Sequence, residues 1–487
     1  MSAPLFPKMD MRQALLEALP DNDQASFAPK RNPKFTYVPP SHARALDPEN
    51  TIVEGMRGAG KSHWWASLNS EEHRKYLESV FPETRISSNL EISQGYGVSL
   101  SPNDWPGKDT LASLIKTYDP RHIWQAVLAV HVKFPMPFPG KSETWTDKVK
   151  WVSEHAEEYD NLLYQVDREL ALVKKTRLVL FDGLDRLAGD WQGIRPLARA
   201  LFQLALDLRS TVALRLKLFV RPDMLEDREI QAFPDFSKLK KITLTWRRVD
   251  LYALLFHCLG NADTHGEMFR KHCEQMFGGQ WRHINDAWLV PEMLRADEAL
   301  QRKVFHVIAG PAMGKGPKRG FPYTWLPNHL IDGRDQVSPR SFVAALRHAV
   351  QQDNTPADCP YALHYKAIQV GVQEASLIRV KEISREDYPW VDRLMQPLKG
   401  NITVPCDPND LIKLWQENST IDSLLENEKA EEVKLPPPHL KDREKGVIHD
   451  LEDLGVIQQL RDGRIQVPDV YRIAFGFGRR GGVKPLK

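Results

Sequence analysis

The stretch TIVEGMRGAGKSHWW, residues 51–65, combines a β-type run, a glycine-rich turn and the start of a helix. It fits the pattern G-x-x-x-x-G-K-[ST] in full, through Gly55, Gly60, Lys61 and Ser62, and Gly58 is a further glycine of the predicted binding loop. Such a loop needs glycine because successive backbone N–H groups wrap a phosphate only where no side chain intervenes. Lys61 would meet the β- and γ-phosphates and Ser62 would ligand Mg²⁺, with the helix dipole directed at the anion. The stretch predicts a nucleotide phosphate site, and a chance match is the alternative.

A second apolar run, LVLFDGLDRL at residues 178–187, ends abruptly in Asp182 and Asp185. A P-loop enzyme needs a second strand, adjacent in the sheet, whose buried body ends in a carboxylate that faces the Mg²⁺ coordination sphere. Asp182 is predicted to take that position. An ordinary strand that ends in solvated acids is the alternative.

Short β-type runs alternate with long helical patterns around these two motifs, which is typical of a parallel sheet flanked by helices. Strands are predicted at 51–54, 177–182, 214–220 and 241–246, with another near TRISSNLEIS. Helices are predicted near 120–134 and 144–174, in an insertion between the first two motifs. Ahead of the sheet, a short helix near 10–19 is followed by an arm in which five prolines oppose regular structure: Pro29, Pro33, Pro39, Pro40 and Pro48.

Composition limits the classes of protein to consider. At 487 residues the chain should hold two to four domains, and its net charge of +2 gives no bulk attraction to nucleic acid or membranes. The four cysteines are widely spaced, without a zinc-type pattern, and so predict reduced thiols. No stretch approaches the ~20 apolar residues of a membrane span. These features predict a cytoplasmic protein without a membrane partner.

The motif LVLFDGLDRL resembles the Walker B strand of NACHT-type proteins of the STAND class, relatives of AAA+ and origin-recognition ATPases. The resemblance covers roughly residues 50–260 and implies that the cofactors are ATP and Mg²⁺, adenine being the commoner base in this class. Arg186 stands where the family has an acid. Asp185 is therefore the better candidate to orient the attacking water, and slow hydrolysis is expected.

Two arginines take sensor roles by the same resemblance. Arg221, in LKLFVRPDM, would compensate charge on the transferring phosphoryl group. The alternative is an arginine held in a turn by Pro222 and paired with Asp223. SPRSFVAALRHA, at 338–349, starts a helix with a serine cap and a proline at N1. It is similar to the second sensor region of AAA+ lids, where Arg340 would reach the nucleotide, and a salt-bridged or solvent-facing arginine is the alternative.

Two further segments carry basic residues. GPAMGKGPKRG, at 310–320, would hold phosphate or a nucleic-acid backbone through Lys315, Lys318 and Arg319, but a mobile surface loop is the default interpretation. The C-terminal residues 436–487 resemble a winged helix with a hairpin at Asp462-Gly463. Acids on its helix favour a structural or protein-binding role. Basic residues of 461–487 keep DNA contact open: Arg461, Arg464, Arg479, Arg480, Lys484 and Lys487.

The predicted organisation is therefore an α/β P-loop NTPase with a parallel sheet, then a helical lid and a winged-helix-like domain. The boundaries are an N-terminal arm 1–50, a P-loop core with an insertion 51–248, a helical lid region 249–350, a helical linker region 351–435 and a winged-helix-like domain 436–487.

The first functional hypothesis is an ATP-binding, slowly hydrolysing switch that controls oligomerisation or a protein effector. By resemblance it would serve in bacterial anti-phage defence. The second is a DNA-associated AAA+-type loader or initiator. A small-molecule kinase is disfavoured by the paired acids of DGLD and by the appended C-terminal unit.

Overall fold

The computed structural model divides the chain into two compact units. It describes residues 6–19, 32–140, 142–352, 356, 358–429, 435–480 and 483–485. The sheet unit comprises 28–33 and 38–245, and the helical unit comprises 1–27, 34–37 and 246–487. The five predicted domains and their boundaries stay predictions. Of the segments singled out by sequence, Pro29 and Lys487 lie outside the described residues.

The sheet unit is built on five parallel strands in the order β2-β3-β4-β1-β5. The strands are β1 Ile52–Glu54, β2 Leu90–Tyr96, β3 Thr176–Phe181, β4 Leu214–Val220 and β5 Lys241–Thr243. Helices cover the sheet, and the apolar bodies of β1 and β3 are buried. The predicted α/β class with a parallel sheet flanked by helices is therefore confirmed.

The helices of the sheet unit follow the predicted pattern with two corrections. They are α2 Pro40–Leu46, α3 Lys61–Asn69, α4 Glu71–Val80, α5 Lys108–Leu114, α6 Pro120–Val132, α7 Trp145–Glu154, α8 Ala156–Leu172, α9 Trp191–Asp207, α10 Pro222–Glu226 and α11 Arg228–Gln231. The proline-rich arm contains α2, because Pro40 occupies N1, where a missing N–H costs nothing. The helix predicted at 144–174 breaks at His155, whose Nδ1 lies 2.9 Å from the Trp151 carbonyl oxygen.

The helical unit has a hydrophobic core drawn mainly from residues 6–19 and 251–375. Its helices are α1 Lys8–Ala18, α12 Arg248–Gly260, α13 Gly266–Phe277, α14 Glu292–Ala296, α15 Glu298–Ala309, α16 Pro322–Asn328, α17 Pro339–Gln351, α18 Tyr365–Lys381, α19 Pro389–Met395, α20 Pro408–Glu417, α21 Thr420–Lys429, α22 Arg443–Asp453 and α23 Asp469–Phe475. A π-helical segment, Glu382–Asp387, extends α18. None of the described helices combines the length and apolarity needed to cross a bilayer.

The N-terminal helix α1 belongs to the core of the helical unit, with Met11 and Leu15 fully buried. Arg12 of α1 donates to carbonyl oxygens at the end of α17, including that of Gln352 at 3.0 Å. Arg347 of α17 donates in return to the Leu16 oxygen at the end of α1, at 2.9 Å. Each arginine thus satisfies C-terminal carbonyls of the other helix.

The C-terminal segment forms a small mixed structure inside the helical unit. Strands β9 Gln458–Gln459 and β10 Ile465–Gln466 make the predicted antiparallel hairpin. Cys406, which precedes that segment, forms an antiparallel backbone β-bridge with Ile465 of β10. Strand β8 Thr403–Val404 pairs in parallel with β11 Gly478–Arg479. Backbone pairing therefore crosses the predicted boundary at 435/436. A further hairpin, β6 Arg282–Ile284 with β7 Ala287–Leu289, lies between α13 and α14.

Candidate nucleotide-binding site

The glycine-rich loop joins β1 to α3, as the sequence predicts. Gly58 and Gly60 have φ values of 79° and 111°, in the left-handed region that favours glycine. A Cβ on Gly55 would lie 3.2 Å from Lys61 Cγ and 3.3 Å from the Leu244 methyl, so space is restricted there as well. The loop ends where the first N–H groups of α3 lack helical partners, which is the arrangement that suits an anion.

Lys61 starts α3 and its ammonium folds back onto the loop. It donates to the carbonyl oxygens of Gly55 at 2.6 Å and of Met56 at 3.1 Å. Burial lowers the pKa of Lys61 to about 8, and the Asp182 carboxylate opposes this shift. The cation is therefore held at the mouth of the loop, close to its acidic neighbours.

Asp182 lies at the carboxyl end of β3 and is only 3% exposed. Burial raises the pKa of Asp182, against the opposing effects of Ser62 and Lys61. The expectation that β3 is adjacent to β1 is wrong, because β4 pairs with both strands. The contact still forms because parallel strands end at the same edge of the sheet. The Asp182 backbone N–H donates a hydrogen bond to the Tyr96 carbonyl oxygen at 3.1 Å, which orders the end of the strand.

Asp185 follows in a tight turn, Leu184–Arg186, that begins at Gly183 with a φ of 70°. A side chain at Gly183 would approach Val98 Cγ1 to 2.8 Å, so the glycine of DGLD is required both for conformation and for space. Burial raises the pKa of the Asp185 carboxyl, but the charges of Arg221 and Lys61 outweigh it and leave that pKa lowered. Asp185 is thus kept ionised beside two cations.

Arg221 lies between two carboxylates at the end of β4. Its Nη1 is 3.0 Å from Asp185 Oδ2 and its Nε is 3.5 Å from Asp223 Oδ1, and all three side chains are less than a fifth exposed. The structure therefore shows the pair with Asp223 that was the alternative for Arg221, and the sensor role of Arg221 stays a prediction. Sequence reasoning missed Asp223 as a site residue, although its position two residues after Arg221 was the available signal.

The two tryptophans after the loop are buried. Trp64 is 1% exposed and donates Nε1 to His42 Nδ1 of α2 at 2.9 Å. Trp65 donates Nε1 to the Tyr96 carbonyl oxygen at 3.1 Å. These side chains therefore fix the P-loop helix to β2 and to the segment before β1.

Arg340 belongs to the helical unit, whereas the residues described above belong to the sheet unit. Its Nη1 lies 2.7 Å from Glu382 Oε1, which is the salt-bridged alternative. α17 begins at Pro339 as predicted, but Ser338 makes no side-chain capping bond. The structure thus supplies a local partner for Arg340 and leaves its sensor role a prediction.

The residues at the sheet edge fit the two predicted cofactors. A serine hydroxyl and aspartate carboxylates supply the oxygen ligands that Mg²⁺ prefers. Lys61, Arg221 and the N-terminus of α3 supply positive charge for phosphates. Among the predicted site residues, the described structure brings together the loop glycines, Lys61, Ser62, Asp182, Asp185 and Arg221.

No protein-family model matches this chain, and no curated protein matches it. Solved structures similar to it include the Aeropyrum pernix ORC2 protein in ADPNP–ADP complexes, at 12% identity and a TM-score of 0.37, over 90% of this chain and 94% of that one. The Aeropyrum pernix ORC1 protein in complex with DNA is similar at 13% identity and a TM-score of 0.32, over 96% of each chain. Cdc6p from Pyrobaculum aerophilum is similar at 11% identity and a TM-score of 0.30, over 94% and 95%.

Proposed function

We propose that this chain is a Mg²⁺-dependent P-loop ATPase of AAA+ type. The observation that carries the proposal is the convergence of Lys61, Ser62 and Asp182 at one edge of a parallel sheet, beside the pair of Asp185 and Arg221. Phosphoryl transfer needs positioned cations and carboxylates, with little covalent chemistry from the protein.

Each residue has a distinct task in this proposal. The loop N–H groups and Lys61 would bind the β- and γ-phosphates, and Ser62 with Asp182 would hold Mg²⁺, which when bound neutralises charge on the phosphate oxygens. Asp185 would orient the attacking water and accept its proton at a carboxylate oxygen. Arg221 would leave Asp185 to meet the γ-phosphate.

We expect slow basal turnover because of an ion pair within the site. Asp185 and Arg221 are engaged with each other at 3.0 Å, so neither is available for its task until that ion pair opens. A partner that separates them would accelerate hydrolysis.

We place first the hypothesis that the ATPase acts on DNA. Support comes from the order of α20, α21 and α22, followed by the β9–β10 hairpin that Cys406 bridges. Helices followed by such a hairpin are typical of winged-helix modules, whose helix-turn-helix part contacts DNA. Arg461 lies exposed at the hairpin turn.

A nucleotide switch acting on a protein effector or on homo-oligomerisation, as in anti-phage STAND proteins, is the second candidate. The acidic character of α22 favours it, since Asp453 and its neighbours would repel phosphates.

The deciding measurement is turnover of ATP, and of GTP as a comparison, by the full chain with and without duplex DNA. Lys61→Ala should abolish nucleotide binding, and Asp185→Asn should retain binding but lose hydrolysis. Stimulation by DNA of several-fold would support action on DNA. Slow turnover that is indifferent to DNA would favour the protein-directed switch, and normal hydrolysis by Asp185→Asn would overturn the assignment of the water-orienting acid.

A further inference from the structure

The glycine-rich segment after α15 is a closed loop with an anchored base. Met313, 4% exposed, lies in the core of the helical unit and donates its backbone N–H to the Gly320 oxygen at 2.9 Å. We call this closed base, Met313 to Gly320, the neck. Residues 314–319, which lie between its two ends, are what we call the basic loop. Arg319 donates its backbone N–H to the Gly316 oxygen at 3.1 Å, which tightens the tip.

Glycine is required at the neck for conformational reasons. Gly314 has a φ of 157° and Gly320 a φ of 88°. A Cβ at Gly314 would lie 3.1 Å from Arg319 Cγ, since the stem of that arginine crosses the glycine. The structure therefore shows a loop whose ends are joined and whose side chains are displayed from one place, while its mobility stays a prediction.

The basic loop displays three cations without local neutralisation. Lys315, Lys318 and Arg319 are all exposed, and 310–320 contains no acidic residue. Within the described part of the chain, no ion pair engages any of the three. Their charge is thus available to an external anion.

A fourth cation lies at the base of the loop. The Arg302 guanidinium of α15 stacks on the ring of Phe321, 3.7 Å from its centroid, immediately after the neck. Glu298, the acid nearest to Arg302 along α15, lies one turn earlier and is paired with Arg248 at 2.7 Å.

We propose that the basic loop contacts the phosphate backbone of duplex DNA, as a surface separate from the winged-helix-like segment. The exposed lysines and arginine of the basic loop are set among glycines, so positive charge is presented close to the backbone. Such charge suits contacts to phosphates. The loop exposes no large apolar side chain of the kind that anchors protein interfaces. This inference rests on the DNA-directed form of the proposed function.

The test is the salt dependence of duplex binding by the full chain, measured by fluorescence anisotropy between about 50 and 200 mM salt. In the triple variant Lys315→Gln, Lys318→Gln, Arg319→Gln the slope of log affinity against log salt should fall by about 2.7, since each phosphate contact contributes about 0.9. Affinity at low salt should fall by tenfold or more for every duplex sequence, because phosphate contacts carry no sequence information.

Two matched variants separate local from bulk charge. Lys116→Gln, Arg209→Gln, Lys240→Gln removes the same formal charge from exposed positions of the sheet unit and should keep the wild-type slope. Lys315→Arg, Lys318→Arg, Arg319→Lys retains the charge and should also keep it.

An unchanged slope in the Gln variant, with DNA bound by the wild type, would overturn this inference and leave the proposed function intact. A wild type that binds no duplex overturns both the inference and the DNA-directed output, while ATP turnover still reports on the ATPase. Selective loss of binding to single-stranded RNA or to an acidic peptide, with duplex binding intact, would also overturn the inference.

Discussion

At the scale of single residues, the candidate site is a set of charged groups that engage one another. Arg221 is shared between Asp185 and Asp223, and Lys61 rests on the loop carbonyls. A γ-phosphate would compete with Asp185 for Arg221, whereas Asp223 is positioned to keep the guanidinium near the end of β4. Asp223 is therefore a positioning residue in the proposed reaction.

We expect Asp223→Asn to lower the kcat for ATP about tenfold, equivalent to about 1.4 kcal/mol, because Arg221 would then stay on Asp185. KM should change little, since the loop and Lys61 are untouched. Steady-state kinetics would measure both parameters, and Asp223→Glu should restore kcat in part. A variant with the kcat of the wild type would remove Asp223 from the mechanism.

Nucleotide affinity should depend on pH through Lys61. Burial lowers the pKa of Lys61 to about 8 in the free protein, and bound phosphates favour the protonated form and so raise that pKa. Affinity is therefore fully present below about pH 8 and should fall by up to tenfold per pH unit above it. Titrations with a non-hydrolysable analogue would measure this decline. Lys61→Arg, whose guanidinium stays protonated, should show no decline, and a wild-type affinity that is constant to about pH 9.5 would contradict the assignment.

At the scale of elements, buried and half-buried cations attach segments whose position hydrophobic patterning leaves unspecified. Lys217, fully buried in β4, donates its ammonium to the carbonyl oxygens of Ala45, Asp47 and Asn50 at 2.7, 2.9 and 2.7 Å. It thus attaches the end of α2 and the approach to β1 to the sheet. The reciprocal capping by Arg12 and Arg347 does the same for α1 and α17.

Lys217→Met should destabilise the sheet unit by about 2 to 4 kcal/mol, because three carbonyl oxygens would lose their donor where water has restricted access. Equilibrium unfolding in urea would measure the change. The exposed Lys240→Met serves as the control and should shift stability by less than about 0.5 kcal/mol. Equal stability of the two variants would show that water replaces the ammonium.

At the scale of the whole molecule, the chain crosses between its two units four times, so each unit is made of discontinuous sequence. The predicted P-loop site lies wholly within the sheet unit, whereas Arg340 and the basic loop belong to the helical unit. A nucleotide that contacts only the P-loop site should therefore stabilise the sheet unit directly.

Calorimetry of the full chain should resolve two unfolding transitions. An ATP analogue with Mg²⁺ should raise the midpoint temperature of the sheet-unit transition only. At about 100-fold excess over Kd the stabilisation should be about 2.7 kcal/mol, since the ligand binds the folded state alone. Chelation of Mg²⁺ should reduce the shift and Lys61→Ala should abolish it. Arg347→Ala should lower the other transition and so identify it. A single transition that moves as a whole would contradict independent units.

The sequence by itself determined the P-loop, the DGLD turn and the five strands of the sheet, because those features rest on local glycine conformation and short apolar runs. Only the tertiary structure decided that β4 separates β1 from β3, that Asp223 joins the site and that α1 lies in the helical core. Strand order and helix docking depend on contacts between residues far apart in the chain, and local patterns carry no information about which distant partner a segment will meet.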